Sequence, residues 1–235
     1  MSNSYRSHRR RKKSSAGKLG LAGALTGAVG IAAVAVGIVM LRPDASDGKA
    51  ATPTLASQGD GAAGSAPSPD AGPTLNVTTP EGYGYGLAAA KSGTDARPLP
   101  TSSPAPSGST YAYADYVLTN TQKRPVLLDY PADLFLPRSE VPADERDRCM
   151  PQPGVPDDMC TLPNHSKVTA RLNNSKPPIS DNGDAMIPAG ASYLVRIATD
   201  LPVKDGLKTD AVKLYIWDAR FTSDRKGIEL NFPNS

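Results

Sequence analysis

Cys149 and Cys160 have the most definite chemistry open to them of any residues in this 235-residue chain. They stand eleven positions apart in a proline-rich stretch, and two such thiols are expected to be joined as a disulfide in an oxidising compartment. A zinc site needs four ligands, and His8 and His165 are the only histidines, so no metal site is expected. Cys160 with His165 is the one pairing that resembles a thiol nucleophile and its base. The acidic residues Asp144, Glu145, Asp147, Asp157 and Asp158 offer oxygen ligands of the kind calcium takes. They lack the ordered D-x-D-x-D-G spacing and lie among Arg146 and Arg148, so they are read as solvated loop charges. There is no G-x-S-x-G, no H-E-x-x-H and no phosphate-cradling glycine loop. A carboxylate pair of the kind found in β-sandwich glycosidases carries no local motif, but nothing in the sequence points to one. The chain is therefore expected not to be an enzyme and to carry no cofactor.

Aromatic side chains are the other chemistry on offer. In Val212 to Phe221, Val212, Leu214 and Ile216 fall on one face and Tyr215, Trp217, Ala219 and Phe221 on the other. A strand of this kind is either buried on both sides or displays an aromatic strip. In the second case Tyr215, Trp217 and Phe221, with Tyr111 and Tyr113, form a candidate binding face, since aromatics dominate both protein interfaces and sugar contacts.

These residues need a scaffold, and the run from Leu19 to Leu41 organises it. Its 23 residues carry no charge, and at about 1.5 Å per residue they match the thickness of a bilayer core. One transmembrane helix is expected at 19–41. Residues 1–18 hold seven basic and no acidic side chains, with Arg9, Arg10, Arg11, Lys12 and Lys13 in one block. That bias keeps the amino terminus in the cytoplasm and exports the rest, and the block is a candidate contact for anionic lipid. No small-x-small cleavage site follows the run, so the anchor is expected to stay. Gly23 and Gly27 stand at the G-x-x-x-G spacing that lets two membrane helices approach closely. A homodimer through that face is one reading, and the ordinary glycine and alanine content of membrane helices is the other.

With the basic tail set aside, residues 19–235 hold 19 basic against 23 acidic side chains, a net charge of minus four. A nucleic-acid partner is not expected for such a surface. Between Pro43 and Thr78, 26 of 36 residues are Pro, Gly, Ala, Ser or Thr. A segment of that composition cannot bury enough surface to fold alone, so 42–78 is expected to be a disordered linker and 79–235 the exported domain. Asn76, Asn164 and Asn173 begin N-x-S/T sequons, which matter only in a eukaryotic host.

From about Pro80 onward, short runs of aromatic and β-branched residues are broken at regular intervals by Pro, Gly, Asn and Asp, the pattern of an all-β domain. Strands are expected at Gly82 to Ala88, Tyr111 to Asn120, Pro125 to Tyr130, Asp133 to Leu136, Lys167 to Leu172, Ser192 to Leu201, Val212 to Phe221 and Ile228 to Phe232. Period-two alternation supports them: Tyr193, Val195 and Ile197 share one face, with Ser192, Arg196 and Asp200 on the other. The excursion Ser92 to Ser109 is too long for a hairpin turn. It is expected to be a mobile loop, or else the domain begins near Tyr111 with its first strand loosely attached. Seven to nine such strands suggest an immunoglobulin-like β-sandwich.

The segments Asp115-Tyr-Val-Leu-Thr-Asn-Thr-Gln-Lys-Arg-Pro-Val126, Ile187-Pro-Ala-Gly-Ala-Ser-Tyr-Leu-Val-Arg-Ile-Ala198 and Leu214-Tyr-Ile-Trp-Asp218 carry a family resemblance. They resemble the strand and turn elements of bacterial exported immunoglobulin-like domains of unknown function, related to the mycobacterial secreted immunoprotective immunoglobulin-like protein. The resemblance spans Tyr111 to Pro233 and implies a non-catalytic sandwich outside the membrane, without assigning a ligand. The function expected is that of a single-pass, cell-envelope module binding an envelope protein. A cell-wall or carbohydrate-binding module and an accessory subunit of a transporter or secretion machine are the alternatives.

Overall fold

The computed structural model describes residues 63–218, 220–222 and 226–233. The expected tail, membrane helix and first part of the linker, with Arg9 to Lys13, Gly23 and Gly27, lie outside the described residues. Among the described residues no helix is long and apolar enough to cross a membrane.

Among the described residues fourteen strands form in chain order: β1 (Ser65–Ala66), β2 (Leu75–Thr78), β3 (Gly84–Asp95), β4 (Ser109–Asn120), β5 (Val126–Leu127), β6 (Asp133–Pro137) and β7 (Met159–Thr161), then β8 (Asn164–Leu172), β9 (Ile179–Asp181), β10 (Asp184–Ile187), β11 (Ser192–Thr199), β12 (Val203–Lys204), β13 (Lys213–Ile216) and β14 (Ile228–Leu230). The only helical pieces among the described residues are three short 3-10 turns. The described part of the chain is therefore all-β, as the alternation of its sequence implies. A large sheet runs β1-β8-β11-β4-β3-β2, with β12 on the end of β4; a second runs β5-β10-β9 and a third β14-β13-β6-β7. The three meet in one core, in which Tyr85, Leu87, Tyr116, Leu118, Tyr193, Val195 and Ile197 of the large sheet pack with Val126, Ile187, Leu134, Leu136, Leu214 and Ile216 of the other two.

Two expectations are corrected at the front of the domain. The stretch expected as linker through residue 78 supplies β1 and β2, which cap opposite edges of the large sheet: β1 lies parallel to β8, and β2 antiparallel to β3. The segment has little apolar surface of its own, but it docks on sheet edges that offer unpaired backbone groups. Gly72 is required here, because a Cβ on it would stand 1.9 Å from the backbone oxygen of Asn231. The excursion after residue 92 is neither loose nor a domain boundary. Strand β3 continues to Asp95 and pairs with β4 along its length, and what remains of the excursion folds back with Leu99 buried.

A β-bulge between Ala89 and Lys91 organises the outer face of the large sheet. Up to Ala89 the odd-numbered residues of β3 face the core; beyond the bulge Lys91, Gly93 and Asp95 sit opposite Asp115, Tyr113 and Tyr111 on the far side. One extra residue thus turns a cation and a glycine toward the face that the excursion covers.

Candidate functional site

The outer face of the large sheet carries a cluster built by register. Residues directly opposite one another on paired strands share a face, so Lys91, Asp115 and Arg196 lie side by side across β3, β4 and β11. Asp115 is 1% exposed and accepts two hydrogen bonds from Arg196, from Nε at 2.7 Å and from a terminal nitrogen at 2.9 Å. Lys91 lies 3.7 Å from the same carboxylate, as a second and more exposed cation. The guanidinium stacks on Tyr113, 4.1 Å from the ring centre, and that ring lies over Gly93, where a Cβ would come within 2.7 Å of the phenol oxygen. A side chain at Gly93 would displace the ring that Arg196 rests on. The carboxylate and its hydrogen bonds hold the Arg196 guanidinium above the ordinary arginine range, against the opposing effect of burial.

Arg196 also reaches outward and donates to the backbone oxygen of Pro98 at 3.3 Å. This contact docks the 96–105 loop. The loop holds its own shape: the amide of Ser102 donates to Leu99, that of Ala105 to Ala96, and Arg97 Nε to the oxygen of Ser102. Short surface loops closed by such internal bonds are a recurrent setting for function.

Between this loop and the strands lies a cavity of about 370 Å³, lined by Leu99, Thr101, Ser102, Ser103, Tyr111, His165, Thr199 and Asp200. Its polar pair is His165 and Asp200, with Nδ1 and a carboxylate oxygen 2.5 Å apart. An ionised carboxylate only accepts, so Nδ1 donates to it. Thr199 is already engaged, its hydroxyl accepting from the amide of Ala112. Tyr111 is 6% exposed, and its hydroxyl makes no hydrogen bond to any described residue.

The five aromatics picked out from the sequence are not brought together. Tyr215 is buried edge-on to Phe135, 5.2 Å between ring centres, in a small cluster with Val155. Burial and the neighbouring Glu229 push its phenol up to about 12. Trp217 packs against the same cluster with its indole nitrogen donating to Asp133, so its polar edge is already occupied. Burial raises the Asp133 carboxyl above the ordinary range, in spite of hydrogen bonds from Trp217 and Asn164. Phe221 belongs to the main core, edge-on to Tyr85. Of the alternatives for Val212 to Phe221, burial on both faces describes Leu214 to Ile216. Tyr111 and Tyr113 lie on the outer face of the large sheet instead, one on the cavity and one under Arg196.

Cys149 and Cys160 form a disulfide. Both are buried in the main core, so the bond joins the proline-rich loop to β7 from the inside. Glu145 pairs with Arg148 on the 3-10 turn Ala143–Arg148, and among the described residues no three acidic, histidine or cysteine side chains are placed to hold a metal ion. The sequence reading did not find the Asp115 and Arg196 pair, the His165 and Asp200 pair or the cavity. Each depends on cross-strand register, and the local hints were Arg196 and Asp200 on the polar face of their alternating strand. Comparison with known protein families, with curated proteins and with solved structures found no match.

Proposed function

We propose that the chain is a single-pass, membrane-anchored recognition module of a cell envelope, with an immunoglobulin-like β-sandwich held outside the cytoplasmic membrane to bind an envelope protein. The observation that carries this reading is the disulfide buried in the core, since such bonds persist in oxidising compartments and are rare in reducing ones. It agrees with the orientation deduced from seven basic residues ahead of a 23-residue apolar run. The disulfide-closed loop carries Met150 at 67% exposure, an apolar side chain offered to a protein partner.

Protease added to intact cells, or to cells stripped of any outer layer, is expected to reach the carboxy-terminal domain. Crosslinking in cells, followed by detergent extraction of the full-length chain, is expected to recover a membrane or envelope protein. A domain shielded from protease, with both thiols free, overturns the reading. The hydroxyl-lined cavity favours a second reading, in which the module holds a carbohydrate of the wall.

A further inference from the structure

We propose that the cavity under the 96–105 loop binds a neutral sugar residue. The inference deepens the carbohydrate reading and is independent of the protein-partner reading, because it concerns what the folded chain binds wherever it resides.

The first ground is that the site is already built. Its loop wall is closed by its own backbone bonds and docked through Arg196, and Arg196 is fixed by the buried carboxylate of Asp115. A ligand entering the cavity need not order the wall, so little binding energy is lost to preorganisation. At about 370 Å³ the cavity lies at the small end of the range of roughly 300–1,000 Å³ typical of small-molecule sites.

The second ground is the inventory of unused polar atoms. The hydroxyls of Tyr111, Thr101 and Ser103, Nε2 of His165 and the second carboxylate oxygen of Asp200 all belong to the lining. None has a hydrogen-bond partner among the described residues. Tyr111 is the most buried of these, the residue being 6% exposed, and it lines the cavity. Hydroxyls both donate and accept, whereas the carboxylate only accepts. The complementary ligand therefore carries several hydroxyl groups spaced around a compact ring.

The third ground is charge and shape. The lining holds a carboxylate and no lysine or arginine, and its one basic side chain, His165, already faces that carboxylate, so phosphates and carboxylated ligands meet no free cation. Leu99 and the Tyr111 ring provide apolar surface beside the polar rim. A pyranose has the matching pair of surfaces, hydroxyls at the edge and C–H groups on the face, and aromatic rings accept such faces.

The test uses the full-length chain, extracted in a detergent whose headgroup contains no sugar. Methyl β-glucopyranoside, N-acetylglucosamine and inorganic phosphate are the probes, followed by saturation-transfer NMR and calorimetry. At least one sugar is expected to bind with a dissociation constant on the order of 1 mM, as for about five hydrogen bonds net of desolvation. Tyr111→Phe should weaken it about fivefold, and Asp200→Asn about tenfold or more, because the hydrogen bond to a charged acceptor is the stronger. Near-ultraviolet circular dichroism checks that both variants remain folded, and Tyr111→Phe keeps the test valid should Asp200→Asn not fold. Retention on isolated wall polymer that the monosaccharide competes away identifies the polymer as the source of the sugar; monosaccharide binding without retention identifies a free sugar. Absence of sugar binding, sugar binding indifferent to both substitutions, or tighter binding of phosphate overturns the proposal without touching the protein-partner reading.

Discussion

Replacing Asp115 with alanine removes the carboxylate that accepts both hydrogen bonds from Arg196, at 2.7 and 2.9 Å. The guanidinium is then left on a surface where the Arg196 side chain is 21% exposed, with only the Pro98 oxygen as acceptor. Breaking a buried ion pair by deleting one partner typically costs about 3–5 kcal/mol, because the surviving charge stays desolvated. Arg196 keeps some water and its stacking on Tyr113, which places the expected loss near the lower figure, about 3 kcal/mol. Lys91 contributes little to the balance, being 60% exposed. Arg196→Met alone strands the carboxylate, which is deeper, and should cost at least as much. The double variant Asp115→Ala, Arg196→Met leaves neither partner of the ion pair unpaired and should lose only about 1–2 kcal/mol. Urea denaturation of the four proteins at pH 7 yields the coupling energy of the cycle. Hydrogen exchange should also report faster exchange at the amides of Ser102 and Ala105 when Arg196 no longer holds Pro98. A loss below about 1 kcal/mol for Asp115→Ala, or additive losses in the double variant, refutes the view that this pair supports the sheet and the loop above it.

Three further outcomes are expected. Replacing Cys149 and Cys160 by serine should lower stability by about 2–3 kcal/mol for a closed loop of this length, read by denaturation, and dithiothreitol should lower the wild type toward the same midpoint. The Asp133 carboxyl is raised by burial, so its protonated form is favoured in the folded state. Its contribution is fully present below the ordinary aspartate value and is lost as pH rises through the raised one. Asp133→Asn, which cannot ionise, should therefore gain stability relative to wild type between pH 3.5 and pH 7, as measured by paired urea titrations; a constant difference across that window contradicts the assignment. Gly72→Ala drives a Cβ against the Asn231 backbone and should cost about 1–3 kcal/mol, with faster exchange at the Gly72 amide, which donates to Ala89.

Much of the fold can be read from local pattern. The alternation of Tyr193, Val195 and Ile197 against Ser192 and Arg196 becomes β11, with its apolar set buried, and the runs near residues 111, 133, 167, 213 and 228 all become strands. Asn182-Gly183, both at positive φ, close the β9 and β10 hairpin; that dipeptide is a strong turn signal, and the sequence reading passed over it. Strands β1 and β2 were hidden for a physical reason: Ser65-Ala66 has no apolar period and is held by backbone bonds to an edge made elsewhere in the chain, and β2 offers only Leu75 and Val77, a four-residue alternation inside a Pro- and Ala-rich stretch. The site was hidden likewise. Asp115 and Arg196 are 81 residues apart and His165 and Asp200 are 35 apart; the first pair needs the β4–β11 register, and the second the β8–β11 register with its shift between Leu194 and Val195.

The strand that closes one margin of the large sheet comes from the very front of the domain, and its partners come late. Ser65 bonds to Asn174, 109 residues on. A ribosome delivers the front first, so this short piece of chain waits while nearly the whole fold is made, and the β8 margin is bare until it returns. Assembly should therefore be slow, as is usual where distant parts of a chain must meet, and a fragment begun at residue 79 would keep two open margins able to recruit strands from its neighbours.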